Sequence, residues 1–289
     1  MTPLDLVTLT PLMDHTVGSR EIVVGLIDGP VALSHPDLAG ARIHEVPGGL
    51  AGTCERASSA ACRHGTFVAG ILAAARISSA PAICPGCTLL VRPIFAEGAA
   101  QGGAMPHAPP EVLTGAIMDC VEAGARVLNL SVGLAQASSS AQFDLGAALD
   151  QAARRRVLVV AAAGNDGTLG SSIITRHPWV IPVAACDHQG RPLGFSNLGR
   201  SIGRRGLRTP GDAIASLDAA GGSLTLGGTS VAAPFVTGAI ALLWSEFPRA
   251  SAAQVKYAVT QAAIPRRPCV VPPLLDAWAA HRALATRHA

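Results

Sequence analysis

A chain of 289 residues that is 49% hydrophobic but only 3% aromatic has room for one large α/β domain with closely packed small side chains. Its formal net charge of +3 is too small to argue for a nucleic-acid surface, and the arginines at 154–156 and at 204, 205 and 208 read as solvated helix ends or turns. A membrane span is not expected either. The longest apolar run, residues 231–244, is broken by Pro234, Thr237 and Gly238 and falls short of the roughly 20 residues required.

From the N-terminus, Met1-Thr2-Pro3-Leu4-Asp5 lacks a basic stretch leading into an apolar core, so no secretory signal is predicted and a cytoplasmic location is expected. Ile22 to Asp28 is an aliphatic, β-branched run closed by Asp-Gly, which reads as a buried strand ending at a sheet edge. A helix is predicted over 64–75 and a strand over 88–94. The amphipathic stretch Glu111 to Ala123 stops before Gly124. Strands at 126–132 and 157–162 flank a helix at 141–154. Thr229 to Phe247 reads as a core helix stopped by Pro248, Ser251-Ala-Ala-Gln254 as a capping box, and Leu274 to His288 as a final surface helix. The alternation of strands and helices predicts a three-layer α/β/α fold with a mostly parallel central sheet. No linker, repeat or low-complexity tract divides the chain, so one domain over 1–289 is expected.

The seven cysteines cannot all pair within the chain. Cys84-Pro-Gly-Cys87, with Cys54 and Cys62 upstream, has the makings of a four-thiolate zinc site. A single Cys-x-x-Cys is weak support, and small buried hydrophobes or one local disulfide account for these residues better. Cys62 lies two residues before His64, so a change in its state would reach the histidine.

Three segments carry chemistry. Ser230, in Gly228-Thr-Ser-Val-Ala-Ala-Pro234, sits where a glycine-rich loop turns into an apolar helix, at the positive end of its dipole. His64, in His64-Gly-Thr-Phe-Val-Ala-Gly70, offers a base; Asp28, at the carboxyl end of a buried strand, offers the group that orients it. A hydroxyl, an imidazole and a buried carboxylate are the parts of a nucleophilic triad. Each has a plainer reading: a helix cap, a helix-start histidine and a turn aspartate.

Together these blocks, in the order Asp, His, Ser, resemble the subtilisin family of serine proteases. Ala161-Ala-Ala-Gly-Asn165-Asp-Gly167 is similar to the family segment that carries the oxyanion-hole asparagine, and Leu128-Asn-Leu-Ser-Val-Gly133 to the strand lining its specificity pocket. The resemblance runs from about residue 20 to about 264 and leaves 265–289 as an extension. It implies a subtilisin-like fold and a serine endopeptidase acting on peptides or proteins through an acyl-enzyme, with Asp28, His64, Ser230 and Asn165 catalytic. Ser131, Val132, Gly133, Ala163 and Gly164 would contact substrate. No cofactor is implied. Asp37 falls where many relatives bind calcium, but residues 76–85 lack the asparagine-rich loop that completes that site. Phe67 replaces the block's second histidine, which is not a triad member. The stretch 97–110 stands where relatives carry a substrate-pairing edge strand and reads as a mobile loop, which would leave the cleft open or ordered only by substrate. The segment after Asn165 is shorter than in secreted members, which leaves the pocket floor unassigned. Asp28-Gly-Pro-Val31 resembles the proteases that mature cyanobactin-type peptides, which points to peptide maturation. Two other functions compete. A catalytically idle peptide binder is disfavoured by the complete triad, and an α/β-hydrolase esterase by the absence of Gly-x-Ser-x-Gly and by the chain order.

Overall fold

The aliphatic run ending at Asp28 forms strand β1 (Val23–Asp28), which is buried from Val24 onward. A strand with no solvated face must lie inside a sheet covered on both sides. In the computed structural model, which describes residues 1–98, 108–131, 139–261 and 269–288, six strands join it. They are β2 (Arg42–Glu45), β3 (Thr88–Pro93), β4 (Val127–Leu130), β5 (Leu158–Ala162), β6 (Val180–Cys186) and β7 (Leu207–Pro210). The order is β2-β3-β1-β4-β5-β6-β7 and every pairing is parallel. A separate antiparallel hairpin pairs β8 (Ile214–Leu217) with β9 (Ser223–Leu226).

The helices are α1 (Pro3–Leu6), α2 (Leu9–His15), α3 (Ala60–Ala73), α4 (Pro110–Glu122), α5 (Ser139–Arg154), α6 (Ile173–Arg176), α7 (Arg200–Arg205), α8 (Thr229–Glu246), α9 (Ala252–Gln261) and α10 (Ala277–His288). Helices α3 and α8 cover one face, where Phe67, Ile71, Phe235 and Ile240 meet Val24 and Leu26. Helices α4 and α5 cover the other, with Leu113, Ile117, Leu145 and Leu149 against Ile27, Leu128 and Leu130. This is the three-layer α/β/α architecture with a parallel sheet. After β1 the chain adds strands on one side, then crosses to β4 on the other. Such a reversal opens a crevice outside the carboxyl ends of the strands, and Asp28 is the last residue of β1.

Two elements depart from the sequence expectation. The helix expected from His64 begins at Ala60, because the Ser59 hydroxyl caps it by accepting the Cys62 N–H at 3.1 Å. His64 therefore sits inside a helix, over a full turn from its start. The last helix, expected on the surface, buries Ala277, Ala280 and Leu284 completely. Its alanines let it lie close to α9 and α2, and the segment before it pairs at Leu274 with Arg208 beside β7. The capping box at Ser251 is present, with Ser251 N–H donating to Gln254 and Gln254 N–H to Ser251. No helix among the described residues is long and apolar enough to cross a membrane. The arginines of the 204–208 cluster are used internally at two positions, Arg205 on the Arg176 carbonyl and Arg208 on that of Gly190.

Candidate active site

Asp28, at the carboxyl end of β1, has no exposed surface. Its Oδ1 accepts the Gly29 N–H at 2.7 Å and the His64 Nδ1–H at 2.6 Å. The close approach of α3 to the end of β1 depends on two glycines: a Cβ on Gly29 would run into the Ala61 carbonyl, and one on Gly65 into that of Gly29. Because a carboxylate only accepts, the His64 proton belongs on Nδ1, which leaves Nε2 to accept from the Ser230 hydroxyl 3.0 Å away. Burial by itself would lower the His64 pKa; the Asp28 carboxylate, by its charge and its hydrogen bond, outweighs it and lifts the pKa above the ordinary 6.5. The second carboxylate oxygen, Oδ2, is buried without a hydrogen-bond partner, so the imidazolium is the natural partner of this charge. The three residues that the sequence singled out come together in one hydrogen-bonded line.

The nucleophile is presented by the first turn of α8. Gly228 precedes the helix at φ +139°, a conformation that L side chains rarely adopt, and a Cβ there would touch both Asn165 Nδ2 and Ser230 Oγ at 3.4 Å. The next residue, Thr229, locks this turn to the loop after β5. Its N–H donates to Asn165 Oδ1 at 2.9 Å, and its Oγ1 accepts the Gly164 N–H at 3.1 Å. With Oδ1 occupied in this way, the Asn165 amide is oriented so that Nδ2 is left as the donor, and Asn165 lines the same cleft as His64 and Ser230. The Ser230 N–H lies in the first helical turn, where no carbonyl precedes it to accept. Asn165 Nδ2 and the Ser230 N–H are thus the two donors left without an assigned acceptor beside the nucleophile.

Ser131 follows β4 and is 4% exposed. Sequence reading assigned it a backbone contact to substrate, whereas the structure shows work for its hydroxyl. Ser131 Oγ donates to the Ser230 carbonyl at 3.0 Å and accepts from Asn129 Nδ2 at 2.8 Å. Asn129 Oδ1 in turn accepts from Thr237 Oγ1 at 2.9 Å. The reason lies in Pro234: four residues after Ser230, it has no N–H to give that carbonyl, and Ser131 supplies the missing bond. Asn129, Thr237 and Thr229 were not found by sequence reasoning; proline four residues beyond the nucleophile was the signal that a polar partner had to arrive from elsewhere. Val132 and Gly133 lie outside the described residues. Ala163 gives its N–H to Val183, and Gly164 uses both backbone groups internally, its N–H on Thr229 and its carbonyl on Asn197. The Gly164 N–H is therefore committed to holding Thr229 in place.

The cleft beside the triad is lined by Ser58, Ala60 and Arg63 from the start of α3 and by Leu224, Leu226 and Gly227 from the β9 side. Arg63 is paired with Asp218 at 3.3 Å. The cysteines divide into separate places. Cys54 and Cys62 form a disulfide that closes the loop leading into α3, while Cys84 and Cys87 are free and buried, with Cys87 Sγ beside the Ser245 hydroxyl. The four do not gather into one metal-binding group. Asp37 stands in a short turn at Pro36–Leu38, its carbonyl accepting the Ala75 N–H. Among the described residues it forms no cluster with two other His, Cys or carboxylate donors.

A parallel α/β/α sheet carrying an Asp–His–Ser relay at its carboxyl edge defines a serine hydrolase of the subtilisin type. The chain belongs to the Subtilase family, whose pattern it matches over residues 19–284, a span that reaches into α10 and beyond the 264 expected from sequence. It is a serine endopeptidase. It is 31% identical to subtilisin DY of Bacillus licheniformis over 242 residues, covering 81% of each chain. Of fervidolysin from Fervidobacterium pennivorans, 30% identical, the chain spans 39% of the length. Among solved structures it is similar to the protease domain of PatA, with 32% identity, a TM-score of 0.83 and coverage of 93% of this chain and 97% of that one. It is also similar to the prenylagaramide maturation protease PagA, with 30% identity, a TM-score of 0.82 and coverage of 96% and 98%.

Proposed function

We propose that Ser230 is the nucleophile of a peptide-cleaving reaction run by Asp28, His64 and Asn165. Ser230 Oγ attacks the scissile carbonyl while its proton passes to His64 Nε2. The carbonyl oxygen, now negative, takes hydrogen bonds from Asn165 Nδ2 and the Ser230 N–H. The C–N bond then breaks, the leaving amine receives the proton from His64, and an ester remains on Ser230. Water repeats the sequence: His64 takes its proton, hydroxide adds to the ester, and Ser230 leaves with that proton. Asp28 keeps the ring in the productive tautomer throughout. The observation that supports this most is the continuous line Asp28 Oδ1–His64 Nδ1 at 2.6 Å and His64 Nε2–Ser230 Oγ at 3.0 Å. An idle peptide-binding role has no comparable observation behind it.

The substrates we assign are peptides, and the role is maturation of a precursor peptide, in keeping with the likeness to PagA. Mass-spectrometric profiling of cleavage in an unstructured peptide library and in folded proteins tests this. Cleavage at few sites in peptides, with folded proteins spared, is expected; broad digestion of folded proteins would overturn the maturation role while leaving the protease intact.

A further inference from the structure

The helix that presents Ser230 at one end carries an unassigned side-chain cluster at the other. Glu246 is the last residue of α8, His15 is the last residue of α2, and His281 comes from α10. One donor atom from each lies within 4.8 Å of the other two. We propose that His15, Glu246 and His281 form a binding site for a divalent transition-metal ion, with Zn²⁺ the ion it takes, holding the N- and C-terminal helices to the end of α8.

Four features carry this. The donor set, two imidazoles and one carboxylate, suits Zn²⁺, whereas Ca²⁺ and Mg²⁺ require more oxygen ligands. His281 Nδ1 is buried without a hydrogen-bond partner, which is uncommon for a polar atom out of reach of water. Helices α2 and α8 both end here, so the unpaired carbonyls of two C-termini add negative potential to a cation's surroundings. The imidazole planes are also constrained: Trp278 stacks on His281 with centroids 4.6 Å apart and planes at 5°, and meets His15 at 5.0 Å. Ligands on one zinc ion lie about 3.4 Å apart, so the open cluster must contract slightly; His15, packed on Trp278 at one side and exposed at the other, is the ligand that would shift.

Aromatic packing explains two histidines around a tryptophan, but it gives no reason for a carboxylate among them. The site stands about 24 Å from Ser230 along α8, so its ion would act on the fold and not on the reacting atoms. It does not depend on the assignment of the triad.

Calorimetric titration of the tag-free full chain, after chelator dialysis, with Zn²⁺ and separately with Ca²⁺ tests the site. Thermal melting and tryptophan fluorescence are followed alongside. The expected result is one equivalent of Zn²⁺ bound, a Tm raised by a few degrees, altered Trp278 emission and no response to Ca²⁺. Glu246→Gln, which keeps the side-chain shape, and His15→Gln should each weaken Zn²⁺ binding by about tenfold or more. Absence of Zn²⁺ binding by the unmodified chain would overturn the site. So would undiminished binding by the Glu246→Gln/His15→Gln double variant, which would move the ion to the free cysteines.

Discussion

The two halves of the catalytic corner are built differently. Asp28 and His64 are enclosed, with relative exposures of 0% and 6%, and the bonds among them are side chain to side chain. Asn165 is exposed, on a loop, and is held through the backbone N–H of Thr229. Groups that move protons must keep one tautomer and one distance, which burial among packed helices enforces. The group that meets the substrate oxygen has to stay open to solvent until substrate arrives, so it can be fixed only from behind. Removing a member of the enclosed half should therefore cost more than removing the exposed donor.

Ser230→Ala removes the nucleophile that both halves serve and sets the upper limit of that ranking. Turnover should fall by about 10⁶-fold, and covalent labelling by a fluorophosphonate should disappear; labelling that persists would place the nucleophile elsewhere. Asp28→Asn should follow, at about 10⁴-fold in kcat, because an amide can stabilise the wrong tautomer and no longer neutralises the imidazolium. The pH profile gives the same comparison a sign. His64 must be neutral to accept the Ser230 proton, and its pKa is raised, so kcat/KM should fall as pH drops through a value above 6.5. In Asp28→Asn that limb should shift to lower pH. The linked stability runs the opposite way. The raised pKa contributes stability that is complete below the unfolded value near 6.5 and is lost as pH rises through the folded one, measurable as Tm against pH.

Asn165→Ala should cost about 10²- to 10³-fold in kcat with little change in KM. A near-normal rate would show that the Ser230 N–H suffices. Ser131→Ala should be milder, about tenfold in kcat/KM, with a stability loss of about 1–3 kcal/mol from the unpartnered Ser230 carbonyl. Adding Pro234→Ala supplies a helical N–H to that carbonyl and should recover part of the loss. No recovery would mean that Ser131 acts by another route.

Local pattern located most of the architecture. Strands β1, β3, β4 and β5 and helices α4, α5 and α8 were legible because each is a run of apolar residues with a clear stop, such as Asp-Gly, Gly124 or Pro248. The start of α3 was misplaced because its cap, Ser59, lies in a run of small residues with little periodicity. The packing of α10 was missed because Ala277 and Ala280 carry too little hydrophobic signal to mark a buried face.

The sequence by itself determined which chemical groups are present, their order along the chain, and the strand ends and helix starts on which they sit. It also placed Pro234 four residues beyond Ser230 and so left one carbonyl needing a donor. Only the tertiary structure decided that the donor is Ser131, 99 residues away, and that Thr229 aims Asn165. It alone decided that Cys54 bonds Cys62 apart from Cys84 and Cys87. Hydrophobic periodicity and capping act over a few residues, whereas such encounters depend on strand order and register across the whole sheet, which no local pattern encodes.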